Sequence, residues 1–328
     1  MNKIGVIEFL RGIAAIFVCL FHFGKSSEYG SLKIITSSFY FKDFFSFGWV
    51  GVEMFFVISG FIIPYSMLKS NYKIKNFFKF LIKRILRIEP PYIISIILVL
   101  TLGVLSSLSI QFKGQPQQIN FAQIISHFFY LTEHLKFKWL LPVYWTLEIE
   151  FHFYILIALF LPLIWKTKFS FIVAIFLLCL SQFLIPFTIF KFSSYFAIGL
   201  IALGNNLEKN TKRESFLLLF LVLIWLIYLE QPLVMIVASF LTAFAIMFVN
   251  IQSKYVDFFG QISFSLYLIH VPIGGRVINF LSRYVKTEVD FLLTLIIAFL
   301  ITVGFSWLFN KIIEKPSQNL SRKIKYFN

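Results

Sequence analysis

Residues 47–68 read FGWVGVEMFFVISGFIIPYSML, a run of 22 residues in which Glu53 is the single charged side chain. A hydrocarbon core about 30 Å thick needs about 20 consecutive apolar residues in a crossing helix. This run is long enough to cross, and on a soluble helix it would leave a large apolar surface in contact with water. The stretch therefore predicts a transmembrane helix.

The rest of the chain repeats this pattern and predicts an all-α polytopic membrane protein with about ten transmembrane helices. A turn at Glu230-Gln231-Pro232 separates two of the apolar windows. The windows lie near 4–24, 47–68, 88–110, 144–165, 169–187, 192–207, 215–230, 232–250, 259–281 and 290–312.

Composition and charge agree with a membrane protein. Of the 328 residues, 59% are hydrophobic and 14% are charged, whereas soluble domains are about a quarter charged. The net charge of +15 comes from lysines and arginines that lie mainly between apolar windows, where such residues set membrane topology. We therefore expect no nucleic-acid partner, and the distribution predicts that both termini are cytoplasmic.

The chain has the organisation expected of one membrane domain over 1–328, with no appended soluble domain. The N-terminal window is predicted to be a retained span, because Arg11 interrupts it and no A-x-A cleavage site follows. The longest stretch between windows, 111–143, contains the apolar piece Phe121–Leu131. That piece is too short to cross and is expected at the outer interface.

Arg11 and His22 are ionisable residues inside the first window. Eleven positions on a helix turn the chain to within about 20° of the same face and separate the two residues by about 16 Å. Charged groups at membrane depth are costly and usually face a cavity, although each of these two side chains can also extend to the nearer interface.

Two acidic residues open later windows and are candidate partners for His22. Glu53 is expected at about the same depth as His22, where a carboxylate can orient a neutral imidazole; near the end of its span it can equally meet solvent. Glu150 is the deeper carboxylate of the segment Trp145–Tyr154, which reads WTLEIEFHFY.

Arg84 and Arg87 precede the third window at a spacing that places them on one helical face. They are candidates for holding phosphate groups, which guanidinium groups bind in bidentate fashion. A topology signal is the plainer interpretation, and Lys69 to Lys83 already provide one.

Other kinds of site are not expected. The five histidines include no pair at i, i+4 and no Cys/His cluster, so no metal site is predicted. Ser59 lies outside a G-x-S-x-G elbow, and His270 is predicted to be a structural, hydrogen-bonding histidine. We expect no permanently bound cofactor.

Taken in order, these segments resemble the acyltransferase-3 family of membrane O-acyltransferases, which modify bacterial surface glycans. The resemblance runs from the first window to the C-terminal tail. It is carried by Arg11 with His22, GVEMFFVISGF from Gly51, Arg84-x-x-Arg87-I-x-Pro90, WTLEIEFHFY from Trp145, SFSLYLIH ending at His270, and Glu314-Lys315-Pro316.

The resemblance implies transfer of an acyl group, usually acetyl, from cytoplasmic acyl-CoA to a hydroxyl of an extracytoplasmic or lipid-linked glycan. It also implies a location in the cytoplasmic (inner) membrane, among membrane lipids and glycan-assembly proteins. Glu53 stands where the family often has Asp. We expect no extracytoplasmic hydrolase-like domain of the kind found in longer members, so further handling of the acceptor would require another protein or be unnecessary.

Under this hypothesis His22 is the general base for the acceptor hydroxyl, and Glu53 or Glu150 orients it. Arg11 stabilises the bound thioester or negative charge on its oxygen, while Arg84 and Arg87 hold the CoA phosphates. A transient acyl-His22 is a second route.

Three other functions remain open from sequence. A transporter or flippase of a glycan or lipid-linked intermediate would also place Arg, His and Glu inside the membrane, but no inverted repeat is evident. The membrane-bound acyltransferases of lipids and proteins typically carry their histidine late in the chain. A sensor or scaffold would keep the fold without the chemistry.

Overall fold

Helices make up the regular structure in this computed structural model, which describes residues 4–25, 45–108, 120–185, 188–251 and 254–326. The ends of the predicted 88–110 and 169–187 windows and part of the predicted 111–143 stretch lie outside these residues. The α-helices are α1 Ile4–Lys25, α2 Gly51–Lys69, α3 Phe77–Ser107, α4 Phe121–Phe128, α5 Trp145–Ile164, α6 Lys168–Leu184, α7 Ser193–Asn206, α8 Lys212–Tyr228, α9 Leu233–Phe248, α10 Lys254–Ile269, α11 Gly275–Leu281, α12 Glu288–Phe309 and α13 Lys315–Arg322.

Short 3-10 or π-helical turns extend several of these helices. Two of them are π-helical, His270–Gly274 after α10 and Asn310–Glu314 after α12. Such turns occur often at functional sites because they shift the side chains that follow them. The 3-10 turns are Phe47–Val50, Ile74–Asn76, Thr188–Phe192 and Ser282–Tyr284.

A helix occurs at each of the ten predicted windows, but ten spans are not confirmed. Within the described residues, six segments are both long and apolar enough to cross a membrane. The helices α6, α7, α8 and α9 have 17, 14, 17 and 16 residues, which is shorter than the hydrocarbon thickness at 1.5 Å per residue. The six segments are Gly5–Gly24, Phe47–Lys69, Ile74–Ser107, Trp145–Ile164, Asp257–Tyr284 and Glu288–Arg322.

Helix α1 has two principal neighbours, and their directions follow from close backbone contacts. A Cβ added at Gly51 of α2 would lie 2.4 Å from the Ala14 carbonyl oxygen, and one at Gly48 would lie 2.2 Å from that of Phe17. Residue numbers rise on α1 as they fall on α2, so α1 and α2 are antiparallel. Helix α10 packs against α1 over most of its length.

The glycines of α2 also bring it against α7, because small residues let helix backbones approach closely. A Cβ at Gly60 would lie 2.3 Å from the Phe196 carbonyl oxygen, and one at Gly199 would lie 2.1 Å from that of Val57. Real side chains do not approach a backbone oxygen so closely, so glycine is required at both positions. Helix α2 is thereby enclosed at the centre of the helical bundle.

Helix α4 is anchored through His127, which is fully buried. Its Nε2 accepts a hydrogen bond from the Leu140 backbone N–H at 3.3 Å, so Nδ1 carries the proton and donates to the Tyr92 hydroxyl at 2.8 Å. Burial lowers the pKa of His127 to about 4. Since burial disfavours the charged imidazolium, His127 is a neutral structural residue.

Candidate functional site

A cavity of about 330 Å³ lies between α2, α3, α5, α10 and the C-terminal segment. This volume is at the lower end of the range of about 300–1,000 Å³ for small-molecule sites. The polar residues that line it are Arg11, Ser59, Ser66, Ser70, Lys83, Arg84, Arg87, Thr146, Glu150, Tyr154, Tyr267, Glu314, Ser321 and Tyr326.

The cavity is long and narrow, because it follows one stripe of α2. Lining residues on this helix run from Val52 to Ser70 at spacings of three and four, the spacing of one helical face. Eighteen positions at 1.5 Å per residue correspond to about 27 Å, close to the hydrocarbon thickness of about 30 Å. The lined stretch of α2 is therefore comparable in length with the hydrocarbon core of a membrane.

Four cationic side chains face this cavity: Arg11 from α1, and Lys83, Arg84 and Arg87 from α3. Among the described residues, none of the four makes an ion pair within 4.0 Å of a carboxylate. Charges in an apolar surrounding are costly unless they are balanced. The four cations outnumber the two carboxylates of the lining, Glu150 and Glu314, so the cluster is suited to an anionic ligand. Arg11 and both α3 arginines are candidate site residues from sequence, whereas Lys83 was interpreted only as part of a topology signal, so its place on the cavity was missed.

The guanidinium of Arg84 is held in place by aromatic and polar neighbours. Its Nη2 donates to Ser66 Oγ at 2.9 Å, and its carbon lies 5.1 Å and 5.2 Å from the ring centres of Phe80 and Tyr154. Its Nε is buried without a hydrogen-bond partner in the described part of the chain. Cation–π contacts orient the group, and Nε keeps a donor for a ligand.

Glu150 faces the cavity and not His22. Its Oε1 accepts hydrogen bonds from the Tyr154 hydroxyl at 2.6 Å and from Ser59 Oγ at 3.2 Å, and the carboxylate interacts electrostatically with Arg11 and Arg84. The prediction that Glu150 is the deeper acid of its segment stays a prediction. Glu150 was also a candidate to orient His22, but it lines the cavity and His22 does not.

A second carboxylate, Glu314, reaches the cavity from the π-helical turn after α12. It is buried and accepts hydrogen bonds from Ser265 Oγ at 2.5 Å and Asn310 Nδ2 at 2.8 Å through Oε2, and from Gln318 Nε2 at 2.8 Å through Oε1. The sequence marked Glu314 only as part of a family motif. A helical periodicity of 3.6 cannot show that a π turn directs it inward.

The end of the cavity nearest His22 is closed by aromatic residues. Tyr267 lies 5.7 Å from Phe55, ring centre to ring centre. The Tyr267 hydroxyl lies 2.6 Å from Thr146 Oγ1 and 3.0 Å from the Val143 carbonyl oxygen. Beyond this wall the ring of His270 lies 6.0 Å from that of Tyr267.

His22 lies beyond the wall and does not line the cavity. Its ring centre is 5.2 Å from that of His270. The Nδ1 of His270 donates to the Leu266 carbonyl at 3.0 Å, and its buried Nε2 has no hydrogen-bond partner in the described part. His270 is thus the hydrogen-bonding histidine that the sequence predicts, and it presents a lone pair beside His22.

The depth expected for Glu53 is wrong. Gly51 lies beside Ala14, and Glu53 is further along α2 in the direction away from His22. At least eight positions of α1, about 12 Å along the helix axis, separate the level of Glu53 from that of His22. The reason is that the last turns of α1 extend past the start of α2, which counting from window ends does not reveal. Glu53 is buried, with Oε2 unpartnered in the described part.

The fold and this cavity define a class: a multi-pass helical membrane protein that encloses a long basic cavity. A family model described as an acyltransferase domain matches residues 4–311, so the chain belongs to the acyltransferase-3 family. It is also similar to a protein of Acidianus two-tailed virus, ORF330, which is provisionally named an acetyltransferase, with 26% identity over 292 residues, covering 80% of this chain and 81% of that protein. No solved structure matches the chain significantly.

Proposed function

We propose that this membrane acyltransferase takes an acyl group, in the first instance acetyl, from cytoplasmic acyl-CoA and transfers it to a hydroxyl of an extracytoplasmic or lipid-linked glycan. The observation that carries the proposal is the cluster of Arg11, Lys83, Arg84 and Arg87 around a narrow cavity without close carboxylate partners. CoA combines a phosphate-rich end with a thin, flexible arm, and this cavity offers cations together with an elongated path.

The phosphates are assigned to the cavity end where Lys83, Arg84 and Arg87 lie. Guanidinium groups bind phosphate through parallel hydrogen bonds, and the buried Nε of Arg84 is one donor available for this. The volume of about 330 Å³ suits the pantetheine arm rather than a whole coenzyme. The nucleotide end would then stay at the mouth.

Arg11 is assigned to holding the donor along the cavity. The spacing of about 16 Å between Arg11 and His22 places its guanidinium too far from an oxyanion formed at His22. Because Arg11 lines the same cavity as the α3 cations, it is suited to contact the donor between its phosphates and its thioester.

His22 is assigned as the general base. It removes the proton of the acceptor hydroxyl while the oxygen attacks the thioester carbonyl carbon. A C–O bond forms, the C–S bond breaks, and the CoA thiolate recovers the proton from the imidazolium. Because Tyr267 and Phe55 stand between the cavity and His22, this step requires their contact to open.

Binding of acetyl-CoA to the purified chain in nanodiscs tests the donor site. We expect Arg87→Gln to weaken binding by about tenfold or more, since one charge-assisted hydrogen bond contributes about 1.5–3 kcal/mol. Lys79→Gln is a matched control, because Lys79 is an exposed cation on the same helix that does not line the cavity. Equal affinity in wild type and Arg87→Gln would contradict the assignment.

A further inference from the structure

A cluster of three side chains with metal-ligand chemistry lies outside the cavity. It consists of His134, from the turn that follows α4, and Glu148 and His152 from α5. One ligand atom of each lies within 4.8 Å of the others, and His134 Nδ1 is 3.2 Å from Glu148 Oε1. We propose that these residues bind one first-row transition-metal ion, with Zn²⁺ as the reference ligand.

The donor set is the first reason for this proposal. Two imidazoles and one carboxylate form the ligand sets of many zinc sites with three protein ligands, where water completes the coordination. About a third of the His134 side chain is exposed, whereas Glu148 is buried. An ion would therefore have protein ligands on one side and solvent for a fourth ligand on the other.

The second reason is that neighbouring backbone groups orient two of the ligands. Glu148 Oε2 accepts a hydrogen bond from the Thr132 N–H at 2.9 Å, which leaves Oε1 directed at His134. The backbone of Tyr130 interacts electrostatically with the His152 imidazole. Metal-binding histidines commonly engage a neighbouring backbone group with one nitrogen and direct the other at the ion.

The geometry also defines what the metal does. Glu148 and His152 are four positions apart and share one face of α5, whereas Glu150 points to the cavity on the other side. The ion thus joins the turn after α4 to α5 behind the cavity wall. Its role is to stabilise this connection, and the proposal is independent of the acyl-transfer function.

Metal binding requires only a small adjustment. Metal–ligand bonds of about 2.1 Å place tetrahedral ligands about 3.4 Å apart, a separation that His134 and Glu148 already approach. His134 is on a turn, so its side chain can move toward His152, whose ring centre is 5.2 Å away. Sequence spacing could not reveal the cluster, because the third ligand comes from a different segment.

The test uses the full chain, purified in detergent with an affinity tag that contains no histidine, freed of metal and titrated with Co²⁺. We expect one equivalent to bind, with visible ligand-field absorption that Zn²⁺ abolishes by competition and Mg²⁺ does not. His134→Ala and His152→Ala should each weaken binding by about tenfold or more. His22→Ala is the control, since its imidazole lies outside the cluster.

A second variant keeps the test decisive if an alanine variant folds poorly. His134→Cys places a thiolate ligand on an exposed turn, and it should bind Co²⁺ with an added sulfur-to-metal charge-transfer band. The natural cysteines do not interfere, because Cys19 and Cys179 are both buried. The proposal is overturned if wild type binds no Co²⁺, if binding survives both alanine substitutions, or if His134→Cys shows no such band.

Discussion

The imidazole rings of His22 and His270 lie 5.2 Å apart, centre to centre. A close neighbour of the proposed base is therefore a second imidazole, whose Nδ1 is bound to the Leu266 carbonyl and whose Nε2 is an acceptor. A nearby acceptor can fix the orientation of His22 for proton transfer. His270 is, on this account, a positioning residue.

Substitutions of His270 distinguish a role in positioning His22 from a purely structural role. We expect His270→Phe to lower the rate of acetyl transfer by tenfold or more while the affinity for acetyl-CoA stays unchanged, because the ring is kept and the acceptor is lost. His270→Gln, which restores an acceptor, should recover part of the rate. A uniform loss of binding and rate in both variants would indicate a structural role instead. Steady-state kinetics measures the rate of acetyl transfer, and calorimetry measures the affinity for acetyl-CoA.

Glu150 lies among the cavity cations, which predicts an effect on donor binding. We expect Glu150→Gln to tighten acetyl-CoA binding by about fivefold, since removing one negative charge near Arg11 and Arg84 reduces repulsion of an anion by about 1 kcal/mol. Glu208→Gln, an exposed position away from the cavity, serves as the control. Unchanged binding with loss of transfer would instead support the sequence-based hypothesis that Glu150 orients the base.

The approach of α2 to α7 should tolerate no side chain at Gly199. A Cβ there meets the Val57 carbonyl oxygen at 2.1 Å, so we expect Gly199→Ala to destabilise the fold by about 1–3 kcal/mol. Gly304→Ala is the matched control, because nothing lies within 4 Å of its Cβ position. Thermal unfolding in detergent measures both. Equal unfolding temperatures would mean that the two helices are further apart than described.

Much of this architecture is predictable from sequence, because crossing a membrane imposes length and apolarity on each helix. The windows located helices throughout the chain. The rarity of charge inside them identified Arg11 and Glu150, and helical spacing identified Arg84 and Arg87 just before the third window; all four line one cavity. Costly residues inside apolar segments are few, so each one stands out.

The remaining features depend on how helices are offset and how turns approach them. The offset between α1 and α2 separates Glu53 from His22, and no periodicity within one window contains that information. The π turn that directs Glu314 inward and the turn that brings His134 to Glu148 are likewise tertiary features. Spacing along the chain cannot predict either one.

The buried His127 predicts how stability depends on pH. Its pKa is about 4 in the folded protein and about 6.5 when unfolded, so protonation favours unfolding. The stabilisation is complete above pH 6.5 and is lost as the pH falls toward 4, so that about 2 kcal/mol of it has been lost at pH 5. We expect the unfolding temperature to drop between pH 7 and pH 5, and to drop less in His127→Gln. An equal drop in both would contradict this assignment.

The central claim is that His22 catalyses acyl transfer to a glycan, and mass spectrometry of surface glycans tests it most directly. Cells carrying wild type, His22→Ala or the control Phe17→Ala, a partly exposed position on the same helix, are compared at equal expression. Losing a general base costs about 10²–10⁴ in rate. The account predicts that the acyl substituent is present with wild type and Phe17→Ala and absent with His22→Ala. Retention of the substituent in the His22→Ala cells would contradict it.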